Sequence, residues 1–275
     1  MPESHRSVGS AVQAKPTHER SSEAILSTCG LTRRFGGLAA VNGVTIEIEH
    51  ARLHAVVGPN GAGKTTLINL LSGDLPASSG SVLYKGDDIT RFAADRRSRI
   101  GIGRSYQKTN IFPGFTAFEN CRLAAQSRAP RALHLLSDAA SFGPVADAAE
   151  SALEAARLGA RAGHVASTLS HGEQRQLEIA MVLATRPEVL LLDEPLAGMG
   201  AEEASLMVDL LHALKVSHAI LLVEHDMDAV FALADVITVM VEGRVLESGA
   251  PEQIRASAAV QEAYLGAEGA PTAVA

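Results

Sequence analysis

Eight consecutive residues, Gly58, Pro59, Asn60, Gly61, Ala62, Gly63, Lys64 and Thr65, fit the spacing G-x-x-x-x-G-K-[ST]. The chemistry of that pattern is phosphate binding. Glycines at 58, 61 and 63 let backbone N–H groups turn inward around an anion with no Cβ in the way. Lys64 supplies a cation for the β- and γ-phosphates, and the Thr65 hydroxyl, followed by Thr66, is a ligand for Mg²⁺. A second constellation lies far downstream, where the apolar run 188–192 ends in Asp193 and Glu194. Buried parallel strands read this way, and ligands bind at their C-terminal ends in open α/β sheets. Asp193 would hold Mg²⁺ through its water shell, and Glu194 would polarise an attacking water. Taken alone, the pair could be no more than a strand end capped by solvated carboxylates. With the phosphate loop upstream, it predicts hydrolysis of a nucleoside triphosphate.

These residues need elements to position them. The stretch 52–57 reads as a strand running into the loop, and 64–72 as a helix whose N-terminus points at the phosphates. Further strands are expected at 25–31, 44–49, 80–84, 189–192, 219–223, 236–241 and 244–248, with turns at 85–88 and 242–243. From 96 to about 168 the chain is rich in Ala, Arg and Leu, with helical spacing at 123–127, 132–136 and 145–158. Breaks fall at 127–130 and 142–144. Residues 172–185 carry helical apolar spacing through Leu177, Ala180, Met181 and Ala184, and 251–265 reads as a last helix. Just before the 172–185 helix, Ser170, His171, Gly172 and Glu173 look like an N-cap with a Glu at N3.

Taken together, Leu169-Ser170-His171-Gly172-Glu173-Gln174 resembles the LSGGQ signature of ATP-binding-cassette (ABC) ATPases. His171 stands at the first glycine position and Glu173 at the glutamine position. The resemblance implies that Ser170, His171, Gly172 and Glu173 cap the γ-phosphate of an ATP bound to another subunit. It also implies roles for three scattered residues. Gln107 matches the Q-loop glutamine, which contacts Mg²⁺ and water. His225 matches the switch histidine at the γ-phosphate. Phe35 matches the aromatic that stacks on adenine. One departure follows Asp193-Glu194-Pro195, where Gly200 occupies the usual Asp position of the D-loop. That puts the usual cross-subunit contact of this loop in question without removing a phosphate or Mg²⁺ ligand.

The implied fold is α/β: a P-loop NTPase of the ABC ATPase type, with a mostly parallel core sheet, an antiparallel β region and an inserted helical subdomain. The domain is expected over 23–265, with the helical subdomain at about 96–178. A disordered tail is expected at 1–22 and a flexible tail at 266–275. Within the family, residues 33–38, 111–113 with Glu119 and Asn120, 194–199 and 223–227 look most like the ATPase subunits of branched-chain amino acid importers, the LivG-like group. Relatives of that group also import urea, short amides or aromatic acids. One P-loop and one signature per chain imply a second ABC ATPase subunit, the same chain or a related one. The resemblance adds integral membrane permease subunits and, indirectly, a solute-binding protein. A lipid exporter ATPase, or a soluble ABC ATPase with no membrane partner, would share the core motifs.

Bulk properties agree with this reading. The chain has 275 residues, 47% of them apolar, enough for a large core. A net charge of −7 and a pI of about 5.8 disfavour nucleic acid as the main partner. Arg91, Arg96, Arg97 and Arg99 read as the covering of a helix surface. Cys29 and Cys121 have no metal spacing and read as free thiols. No apolar run approaches the roughly 20 residues that span a bilayer, so a cytoplasmic chain, membrane-associated through partners, is expected. Phe112, Phe115 and Phe118 fall close together after Gln107. They are either core of the helical subdomain or anchors for a permease helix, with Phe115 the foremost candidate.

Overall fold

A computed structural model describes residues 24–107, 110–128 and 143–268. The helical spacing at 132–136, the tail at 1–22 and most of the tail at 266–275 lie outside them. Two sheets organise the described chain. The first is antiparallel, with β1 (Ala24–Phe35) flanked by β2 (Leu38–Val44) and β5 (Ser79–Tyr84). The short strands β3 (Glu47–Glu49) and β6 (Asp87–Asp88) pair with β1 and β5. The second sheet runs in the order β11 (Arg244–Gly249), β10 (Val236–Val241), β4 (Leu53–Val57), β9 (Ala219–Val223), β8 (Val189–Asp193), β7 (Ile102–Arg104). All its pairings are parallel except β10 with β11.

The three central strands are buried along their whole length, which is why they read as unbroken apolar runs. Their alternation still divides the core. Leu53, Ala55, Val57, Leu190, Leu192, Ile220 and Leu222 face one cluster, shared with helices. Val56, Val189, Leu191, Ala219, Leu221 and Val223 face the other, shared with the antiparallel sheet and α1 (Lys64–Ser72). One sheet thus carries the P-loop and the Asp193–Glu194 pair at the same end, on β4 and β8, with β9 between them.

After α2 (Ala94–Ile100) come the helices of the inserted region. These are α3 (Ala117–Gln126), α4 (Gly143–Ala155) and α5 (His171–Ala184). They pack on one another through Cys121, Ala149, Leu153, Leu177 and Ile179. Both α3 and α5 start with a capping box, Thr116 with Glu119 and Ser170 with Glu173. Then follow α6 (Ala201–Leu214) and α7 (Met227–Leu233). The expected last helix is two, α8 (Pro251–Ala256) and α9 (Ala258–Glu268), broken at Ser257.

A further sequence expectation is overturned. Arg97 does not cover a surface; it is 2% exposed. Its guanidinium donates to the carbonyls of Leu70, Leu71, Phe92 and Thr90. Two of these are carbonyls from the end of α1 that the helix itself leaves unsatisfied, so Arg97 caps the P-loop helix from the side.

Candidate nucleotide site

The phosphate loop is held open by its glycines. Gly58 has φ +147°, and a Cβ there would lie 2.1 Å from the Met240 carbonyl oxygen. Gly63, at φ +98°, would bring a Cβ within 2.2 Å of the Ala40 carbonyl oxygen. At both positions only glycine fits, and Gly61 needs its freedom for φ +80° alone. Gly63 is also the N-cap of α1 and provides no side-chain acceptor. The first N–H groups of that helix are therefore left for an anion. The Lys64 ammonium crosses the loop and donates to the carbonyls of Gly58 (2.6 Å) and Pro59 (3.1 Å). Burial lowers its pKa, opposed by the carboxylates of Glu194 and Asp193. Those two groups act on the lysine from the end of β8, two strands from β4 in the sheet. Thr65 is exposed at the mouth of the loop, as are Asn60 and Gly61. Phe35 is 46% exposed at the end of β1, with the Arg33 guanidinium stacked 4.7 Å from its ring centroid.

Asp193 is 1% exposed, and desolvation raises its pKa. Arg104, on β7, lies 3.5 Å from Oδ2 and also binds Asp74 and Ser72. Oδ1 is buried with no hydrogen-bond partner among the described residues. A buried carboxylate oxygen left unpaired costs stability unless something polar meets it. A hydrated cation fits that position. Glu194 sits at φ +51°, a strained conformation for a side chain of its size. Its amide donates to the Val223 carbonyl (2.9 Å), and its Oε2 accepts from Gln107 Nε2 (3.1 Å). The strain turns Glu194 off the strand and toward the loop that carries Gln107.

Four positioning residues escaped the sequence reading. Arg175, on α5, donates to the carbonyls of Tyr106 (3.1 Å) and Gln107 (2.6 Å) and pairs with Glu178. Glu178 in turn accepts from the Tyr106 amide. Burial raises the Glu178 pKa, and these bonds oppose the shift. The signature helix thus grips the Gln107 loop. Glu224 is 1% exposed. One of its oxygens accepts from Leu196 N (2.8 Å), just after Glu194, and the other from His225 N (3.1 Å). The His225 ring stands exposed beside it, with Nδ1 3.7 Å away. A sequence signal existed: Glu224 ends an apolar strand as Asp193 does. Arg175 and Glu178 interrupt the apolar face of their helix. Arg104 gave no such signal.

The signature residues lie at the start of α5. Ser170 and Glu173 cap each other. Glu203, from the first turn of α6, accepts from Ser170 Oγ and Gly172 N. His171 Nε2 lies 3.2 Å from the Ala197 carbonyl. His171 therefore touches the loop after Glu194, a contact that a glycine could not make. Phe112 and Phe115 are half exposed and stacked, with centroids 5.7 Å apart. Phe118 instead packs against the core. Cys29 and Cys121 are both free. No helix among the described residues is long and apolar enough to cross a membrane.

The chain is similar in sequence and fold to known proteins. Residues 41–197 match the ABC transporter family, and 244–273 match the branched-chain amino acid ATP-binding cassette transporter family. The high-affinity branched-chain amino acid transport ATP-binding protein BraF of Pseudomonas aeruginosa is 40% identical, covering 89% of this chain and 99% of its own. The corresponding LivG protein of Escherichia coli is 38% identical over the same shares. Among solved structures, a nucleotide-free ATP-binding cassette from an ABC transporter superposes with a TM-score of 0.78 at 28% identity, covering 88% of this chain and 98% of its own. The ADP conformation of an ATP-binding cassette of an ABC transporter gives 0.76 at 27% identity, covering 88% and 99%. On its sequence and its fold, this chain belongs to the ABC transporter family of ATP-binding cassettes.

Proposed function

We propose that this chain is the ATP-hydrolysing subunit of an importer for branched-chain amino acids or related small polar solutes. The observation that carries the catalytic part is convergence. Lys64, Asp193, Glu194 and Gln107, from three separate segments, meet at the C-terminal ends of the parallel strands β4, β8 and β7. Phe35 would stack on adenine, and residues 58–66 would hold the phosphates. Thr65, Gln107 and, through water, Asp193 would hold Mg²⁺, which neutralises charge on the β- and γ-phosphates when bound. Glu194 would take a proton from water as its oxygen attacks the γ-phosphorus and ADP leaves. His225 would touch the departing phosphoryl group. Ser170, His171, Gly172 and Glu173 would cap the γ-phosphate held by a second subunit.

The import role and its substrate are supported by the relatives' names and by the match over 244–273. The permease would dock where Phe112 and Phe115 stand exposed, because aromatic anchors dominate many interfaces. Phe115→Ala should leave the isolated subunit's ATPase intact while weakening co-purification with the permease. Cells lacking this subunit should lose high-affinity leucine uptake. The wild-type chain should restore it and Lys64→Ala should not. Unchanged uptake in the deletion strain would contradict the substrate. Restoration by Lys64→Ala would contradict the role of ATP.

A further inference from the structure

Glu203 Oε1 lies 2.9 Å from Ser170 Oγ and 3.1 Å from Gly172 N. These are two of the donors that would meet a γ-phosphate in the reading above, on which this inference rests. The Ser170 hydroxyl has one proton. Its oxygen already accepts from Glu173 N (3.2 Å), so the proton is directed at Glu203. Gly172 likewise has one amide hydrogen, and it too points at Glu203. The 14-residue helix α5 adds the partial positive charge of its N-terminus. A carboxylate oxygen therefore sits where a phosphoryl oxygen would, on the same donors and with the same sign of charge.

We propose that Glu203 is an internal stand-in for phosphate at the signature. It must withdraw before Ser170 and Gly172 can grip the γ-phosphate of a second subunit. The two anions compete because the donors are single and like charges repel. Glu203 is built to leave. Its segment follows Gly198, at φ +78°, and Gly200, whose surroundings leave open space. The same segment is tied to the signature by His171 and the Ala197 carbonyl. It begins just after Glu194, so withdrawal of Glu203 would be felt in the loop that carries the catalytic carboxylate.

The test uses the full chain with Glu194→Gln, which should retain ATP. Sedimentation velocity across an ATP titration gives the midpoint of association. Adding Glu203→Ala should lower that midpoint about tenfold, the worth of a charge-assisted contact. Glu203→Gln, which keeps the shape and loses the charge, should fall between. A midpoint unchanged or raised in both variants overturns the proposal. Adding Ser170→Ala to Glu194→Gln should abolish association; if it does not, the signature reading fails and the competition with it, whereas failure of the Glu203 variants alone overturns only the competition. A second arm needs no dimer. Inorganic phosphate titrated into the monomer should move the Gly172 amide resonance at about tenfold lower concentration in Glu203→Ala. Identical responses in the two proteins overturn the proposal. Thermal unfolding verifies the fold of each variant, and Glu203→Gln carries both arms if Glu203→Ala unfolds.

Discussion

The P-loop cradle and the signature are both helix N-termini suited to an anion, but they are built differently. The cradle is made of backbone. Gly58 and Gly63 press against the carbonyls of Met240 and Ala40, and the strands beneath are fully buried. The signature and its neighbours are held by side chains: Glu203 on Ser170, His171 on Ala197, Arg175 and Glu178 on the Gln107 loop, Glu224 between Leu196 and His225. Backbone contacts of this kind have one arrangement. Side-chain bonds can be exchanged. The difference teaches that the cradle is preformed in backbone, while the parts that the proposed function assigns to a second subunit are held by side-chain bonds that can be exchanged.

The sharpest way to break the comparison is to put a Cβ into the cradle. Gly58→Ala should cost more than about 3 kcal/mol and abolish nucleotide binding, because collision and left-handed strain add. Gly61→Ala, in open space but at φ +80°, should cost only about 1–2 kcal/mol. Thermal unfolding and nucleotide titration of the pair measure the contrast; equal effects would mean the cradle is not backbone-locked.

Acid should undermine the strand below the loop. His54 is buried in β4 between the Glu47 carbonyl and Thr238 Oγ1, and desolvation lowers its pKa to about 4. The folded state then binds fewer protons than the unfolded chain between about pH 6.5 and 4. Stability should fall as pH drops through that window, by on the order of 3 kcal/mol, and this contribution should level off below it. NMR titration of the His54 ring checks the cause, and a midpoint near 6.5 would refute it.

Lys64→Ala should weaken ATP binding by about 1.5–3 kcal/mol, read by calorimetry. Glu224→Gln should act on the latched side and leave binding alone. Glu224 accepts two N–H groups on two oxygens, and a Gln amide can accept on only one. Turnover should fall about tenfold with KM for ATP nearly unchanged. A rise in KM at constant kcat would place Glu224 in the binding half.

The same division decided what was legible in the sequence. The cradle declares itself because glycine is the only residue that meets its steric demands, and the strands because full burial leaves unbroken apolar runs. Helix starts at Thr116 and Ser170 were carried by capping residues of fixed spacing; only the second was read as a cap. Arg97 misled because a charged residue in an arginine-rich run reads as surface, and only the fold reveals the helix end that it caps. Glu203 and Arg104 gave no warning because their partners are brought close by tertiary packing alone.

The central claim is that the cradle binds ATP independently of the side chain that hydrolyses it. Glu194→Gln tests it most directly, with Mg-ATP affinity and turnover measured on one preparation. Affinity should stay within about threefold of the wild type, while turnover falls by roughly two orders of magnitude or more, the scale of a lost general base. Turnover within a few fold of the wild type, with ATP bound, would contradict the account.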